Sequence, residues 1–128
     1  MSEIIKTKFN TPFYEKISEK LNNDQLVILP TETVYGLAGN GLSLKAIKSI
    51  YQIKNRPIKK KLILHCSSIS MVQKYFELDQ DNLKVAQKYW PGPLTLILRK
   101  KSKSIPDILT QKHYCAVRIP SNKFLLNI

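Results

Sequence analysis

Cysteine, carboxylate and long apolar runs are all scarce in this sequence, and each shortage rules something out. Its two cysteines, Cys66 and Cys115, stand far apart, and neither belongs to a Cys-x-x-Cys or Cys/His cluster with metal-ligand spacing. That argues against a structural metal site. One disulfide between them is an open alternative; we read them instead as two small buried hydrophobes in a reducing compartment. The apolar runs are short, while hydrophobic residues still make up 43% of the chain and aromatics 9%, so neither a membrane span nor a disordered polymer fits. The opening stretch, MSEIIKTKFNTPFYEK, sets charges around its apolar residues and has no apolar core of signal-peptide length. A cytoplasmic protein with no membrane partner is expected.

Internal repeats, low-complexity linkers and composition breaks are absent as well, so one domain is expected over residues 1–128. A chain of this length buries roughly two thirds of the surface it would expose unfolded, enough for one core.

Carboxylates number nine against 21 Lys+Arg, a formal charge of +12. Such a balance suits nucleotides, RNA or other polyanions. Between Thr33 and Phe76 there is no acidic residue, yet Lys45, Lys48, Lys54, Arg56, Lys59, Lys60, Lys61 and Lys74 all fall there, and Arg99, Lys100, Lys101 and Lys103 form a second cluster. The competing reading is a solvated, Lys-rich surface.

Periodicity places the elements. Thr11-Pro12 reads as an N-cap and first helical residue, with Phe13, Ile17 and Leu21 on one face of a helix running to Asn22 or Asn23. Gln25 to Leu29, closed by Pro30, suits a strand buried on both faces, and TETVYGLAGNG after it reads as a loop. Ser43 caps a helix carrying Leu44, Ile47, Ile50 and Tyr51, which KNRPIKKK ends. Leu62 to Leu64 reads as a strand, Ser68 to Phe76 and Asp81 to Tyr89 as helices, and Trp90-Pro91-Gly92-Pro93 as a turn. A strand over Leu94 to Leu98, a basic loop over Arg99 to Lys112 and a strand over Tyr114 to Ile119 follow, and Pro120-Ser121 opens a further helix. The alternation predicts an α/β sheet with helices packed on it.

Several side chains stand where chemistry is done. Pro30-Thr31-Glu32-Thr33-Val34-Tyr35-Gly36-Leu37 follows a strand directly, the usual place for a ligand loop in open α/β sheets. The hydroxyls of Thr31, Thr33 and Tyr35 suit a small polar ligand; the bland alternative is turn residues bonding their own backbone. Lys54-x-Arg56 pairs a point charge with a planar fork, a combination suited to a triphosphate or simply to solvent. His65 ends a predicted strand and reads either as a structural histidine or as a ligand contact. Arg118 interrupts an apolar strand, so its guanidinium needs an anion or an internal carboxylate.

Strand-PTETVYGL, KNRP, LILH, YWPGPLTLIL and AVRIP, in that order from about Gln25 to Pro120, resemble the YrdC family of threonylcarbamoyl-AMP synthases. The resemblance implies an open, twisted sheet with flanking helices and a basic cavity. It implies a nucleotidyltransferase that makes threonylcarbamoyl-AMP and pyrophosphate from L-threonine, bicarbonate or CO2, and ATP, with Mg2+ accompanying the nucleotide. The product passes to threonylcarbamoyl-transfer proteins that modify an adenosine of tRNA. On matched positions, Thr31, His65 and Arg118 hold threonine, Lys54 and Arg56 hold ATP phosphates, and Thr33, Tyr35 and Thr95 are candidate pocket lining.

Two departures stand out. Lys60-Lys61 replaces the Asn-Pro of many relatives, and the family's Ser-x-Asn motif beyond the VRIP strand has no counterpart, so the domain is expected to be incomplete at its C-terminus. Two other readings stay open on that ground: a non-catalytic module binding tRNA or double-stranded RNA, and a YrdC-like domain of a carbamoyl-transfer protein.

Overall fold

Short polar side chains set the starts of the helices. The computed structural model describes residues 11–30 and 35–121, and the side chains of 15–29 and 36–121. After α1 (Thr11–Asn22), α2 (Leu44–Ile53) begins at Ser43, whose Oγ accepts from the Ala46 amide. In the same way Ser68 Oγ caps α3 (Ile69–Tyr75) and Asp79 Oδ1 caps α4 (Gln80–Tyr89). Each bond satisfies an amide that the helix itself leaves unpaired, an effect of about 1 kcal/mol. No described helix is long and apolar enough to cross a membrane.

Two strands at the N-terminal side correct the sequence reading. β1 (Val27–Pro30) pairs antiparallel with β2 (Tyr35–Ala38), Val27 opposite Ala38 and Leu29 opposite Gly36. Residues 35–38 were expected in a loop because of their glycine, but none of the described glycines has positive φ, and pairing with β1 supplies the ladder that propensity does not. Nor is β1 buried on both faces: Leu29 is buried, whereas Ile28 is 67% exposed. This is the one-sided pattern of an antiparallel pair.

The other sheet has the order β3-β5-β4. β5 (Tyr114–Arg118) lies in the middle, parallel to β3 (Leu64–His65) and antiparallel to β4 (Leu96–Arg99). β3 and β4 thus start two residues later than their apolar runs predict, because the ladder to β5 and not the run of hydrophobes decides where pairing begins. The α/β class with helices packed on a sheet is as expected, and the described strands fall into two sheets. The expected helix after Pro120 lies outside the described residues, as does the side chain of Phe13.

Alternation along β5 sends Cys115 and Val117 inward, where they meet Leu98 of β4 and Val72, Phe76, Ala86 and Trp90 from the α3–α4 region. The stretch expected as a basic loop also joins this core. It contains a short 3-10 helix, Asp107–Leu109, and buries Ile105 and Leu109. Lys100 Nζ holds it by donating to the Ile105 carbonyl at 3.0 Å and to Asp107. Both cysteines are buried and free, as read from the sequence.

Phe76, 1% exposed, joins the end of α3 to the sheet. Phe76→Ala is expected to cost about 3–5 kcal/mol of stability in urea unfolding, whereas Ile97→Thr on the open face of β4 should stay within about 0.5 kcal/mol.

Candidate functional site

The face of β5 opposite the core carries Tyr114, Ala116 and Arg118. His65 is the register partner of Arg118 on β3, so the imidazole and the guanidinium stand side by side on that face. Thr95, just ahead of β4, completes the group. Its Oγ1 accepts from Arg118 Nε at 3.0 Å and from Nη2 at 2.7 Å. Among the described residues no ion pair involves Arg118. Of the two partners the sequence called for, an anion or a carboxylate, neither is supplied by the described residues. Among the described residues a neutral hydroxyl fixes the guanidinium and leaves its charge uncancelled.

Lys54 and Arg56 are separated by a turn that Asn55 makes. Asn55 takes φ 48, in the left-handed region, and its amide donates to Gln52 O while the Arg56 amide donates to Tyr51 O. That is the double bond pattern of a Schellman helix end. Lys54 caps the helix and stays exposed, and Arg56 is sent back over the following loop. There Arg56 Nε donates to Lys60 O at 2.7 Å and Nη2 to Lys61 O at 3.0 Å. Tyr51 Oη donates to the same Lys60 carbonyl at 3.1 Å. Part of the fork expected to grip phosphate is therefore spent on shaping residues 57–61. Lys61, noted as a departure from the family pattern, is tied to Ile108 O at 3.1 Å.

Beside β3 opens a cleft of about 700 Å³, bordered by residues 36–42 and 61–67. Arg56 and His65 line it; Lys54, Thr95 and Arg118 do not. Thr31 and Thr33 lie outside the described residues, as does the side chain of Tyr35. The walls are largely apolar, including Leu37, Leu62, Leu64 and Met71, with Arg56 and Lys61 as cations and no Asp or Glu among the described lining. The expected basic cavity is thus cationic in sign and greasy in surface. Gly41 was not singled out in the sequence, yet a Cβ there would come within 2.4 Å of Leu64 Cδ2. A side chain at position 41 would require the Leu64 side chain to move aside.

Among the described residues no three His, Cys, Asp or Glu side chains cluster as metal ligands. They build no cage for magnesium, a cation that in any case binds through one or two carboxylates plus nucleotide phosphates. Burial pushes the Cys66 thiol up to about 11. Cys115 is also raised to about 11 by burial, with Lys100 and Lys61 pulling the other way. Neither thiol is an activated nucleophile at neutral pH.

The cysteine shift has a definite sign. The unfolded chain releases these protons from about pH 9 while the fold retains them to about pH 11, so the unfolded state binds fewer protons in that window. Stability complete below pH 9 should fall as pH climbs through 11. Urea midpoints measured across this range are expected to fall more in the native sequence than in a Cys66→Ala, Cys115→Ala variant; parallel profiles would contradict it.

Residues 19–128 match the family of Sua5, YciO and YrdC, described as "Telomere recombination". A threonylcarbamoyl-AMP synthase of Pyrococcus abyssi is 37% identical over 110 residues, covering 84% of this chain and 32% of the relative. One of Bacillus subtilis is 34% identical over 119 residues, covering 91% of this chain and 34% of the relative. The crystal structure of P. abyssi Sua5 complexed with L-threonine superposes with a TM-score of 0.82 at 35% identity, covering 89% of this chain and 34% of that one. The chain spans about a third of the length of these relatives.

Proposed function

The chain belongs to the Sua5, YciO and YrdC family, and we propose that it serves the synthesis of threonylcarbamoyl-AMP from L-threonine, bicarbonate or CO2, and ATP. The observation that carries this reading is the pairing of His65 with Arg118 at one end of the sheet, with the guanidinium fixed by Thr95 and its charge left uncancelled among the described residues. An anionic ligand is what such a guanidinium lacks. Support comes also from the Pyrococcus relative whose crystal structure is complexed with L-threonine.

In this proposal Arg118, His65 and Thr31 receive threonine, Lys54 and Arg56 receive the phosphates of MgATP, Thr33 and Tyr35 line the pocket, and Thr95 stands behind Arg118 outside the cleft lining. The threonine amine adds to CO2 and loses a proton, giving a carbamate. A carbamate oxygen then attacks the α-phosphorus of ATP, the bond to the β-phosphate oxygen breaks, and pyrophosphate leaves. The nucleophile is already anionic, so no general base is required, and Glu32 is given no such role. The task of the protein is to align two anions and offset their repulsion, which cations at fixed positions do. The mixed anhydride would pass to transfer proteins acting on tRNA, which puts the reaction in the cytoplasm.

With labelled ATP and magnesium, pyrophosphate release is expected to require threonine and bicarbonate together. Release indifferent to threonine would overturn the assignment.

The charge of +12 favours a second property, contact with tRNA or double-stranded RNA. Lys45, Lys48, Lys59, Lys60, Lys101 and Lys103 are all exposed. If they hold phosphates, affinity for tRNA should fall linearly on a log–log plot against salt, with a slope of about −0.7 to −0.9 per phosphate contacted. Salt-independent binding, or none, would remove RNA from the list of partners.

A further inference from the structure

Thr95 is the partner of Arg118 among the described residues, and it stands outside the cleft lining. A threonine oxygen has two lone pairs for accepting. Arg118 Nε and Nη2 approach that one atom at 3.0 and 2.7 Å, so both lone pairs serve the same guanidinium. Held at two of its nitrogens, the planar group cannot swing about its last side-chain bonds. Among the described residues, Nη1 and the second Nη2 hydrogen are left over as donors. A carboxylate in place of Thr95 would hold the group as well, but it would cancel the charge and compete with an incoming anion. A hydroxyl fixes direction without doing either.

We propose that Thr95 is the positioning residue that aims the fork of Arg118 at the carboxylate of a bound α-amino acid. The inference rests on the reading that Arg118 receives L-threonine. It adds that the affinity of this subsite is set by a residue two strands away from His65, acting through Arg118.

The test compares Thr95→Val, which keeps the β-branched shape and loses the acceptor, with Thr95→Ser, which keeps the acceptor. Without substrate, the Arg118 Nε–H resonance should move toward that of an unbonded guanidinium in the Val variant and stay near its native position in the Ser variant. In turnover, Thr95→Val should raise the threonine KM about tenfold or more, as loss of hydrogen bonds to a charged group implies. Its kcat and ATP KM should remain within about twofold, the mark of lost ground-state binding. Thr95→Ser should restore the threonine KM.

A Val variant with a shifted Arg118 resonance but a native threonine KM would overturn the proposal. Should the Val protein fail to melt cooperatively, Thr95→Ala takes its place in the same comparison. Native protein that binds no L-threonine, while its Arg118 resonance still responds to Thr95→Val, would overturn the amino-acid reading of the site and leave the Thr95 contact as a structural fact.

Discussion

The register of β5 is the constraint on which the site depends. Cys115 and Val117 are buried against Leu98, Val72 and Phe76, and Arg118 follows directly on the opposite face. Side chains alternate along a strand, so a slip of one residue would turn Arg118 into the core and Val117 out of it. Driving an unpaired guanidinium among Phe76, Leu98 and Leu109 costs far more than any single contact in the sheet returns. The apolar residues of β5 therefore do two tasks: they hold the core, and they fix where the cation emerges. His65 shares the benefit, because the same register sets it beside Arg118.

Three described cations elsewhere in the molecule are held alike. Arg56 donates to two main-chain carbonyls, Lys61 to Ile108 O and Lys100 to Ile105 O. With 21 basic residues and nine acidic ones, most cations cannot be given a carboxylate. Carbonyl dipoles and a hydroxyl satisfy their hydrogen bonds without removing their charge. The result is a set of anchored positive groups whose field is still available to a polyanion, an arrangement that needs little reorganisation when charge arrives. Of these three, Lys100 also contacts Asp107, and its place is the loop next to the core.

Features set by local chemistry were legible in the sequence. Ser43 and Ser68 announced their helices, the short apolar runs announced β4 and β5, and the isolated cysteines announced buried thiols. Features set by distant partners were not. β2 contains a glycine that discourages a strand and forms because β1 lies alongside; the two residues of β3 exist as a strand only through β5. Asn55 gave no signal beyond its enrichment at left-handed helix ends, though its turn carries Arg56 back over residues 57–61. The contact of Thr95 with Arg118 joins positions 95 and 118, and nothing local to either predicts it. Of the candidate site, Arg118 and His65 are brought together and Arg56 reaches the cleft, while Thr31 and Thr33 lie outside the described residues.

Why His65, Arg118 and Thr95 share one edge of the sheet follows from the direction of the strands. β3 and β5 are parallel, and His65 and Arg118 are each the last residue of their strand. Both therefore sit at the same, carboxyl end of the sheet, where open α/β folds receive their ligands. β4 runs the other way, so the end that meets them is its beginning, and Thr95 is the residue just before Leu96. Had β4 been parallel, its carboxyl end would have offered Arg99 here, a second cation opposite Arg118 and no acceptor for it. One antiparallel strand thus converts what would be repulsion into a brace. The polarity of β4 is what lets a hydroxyl, and not a second cation, meet Arg118 at this edge.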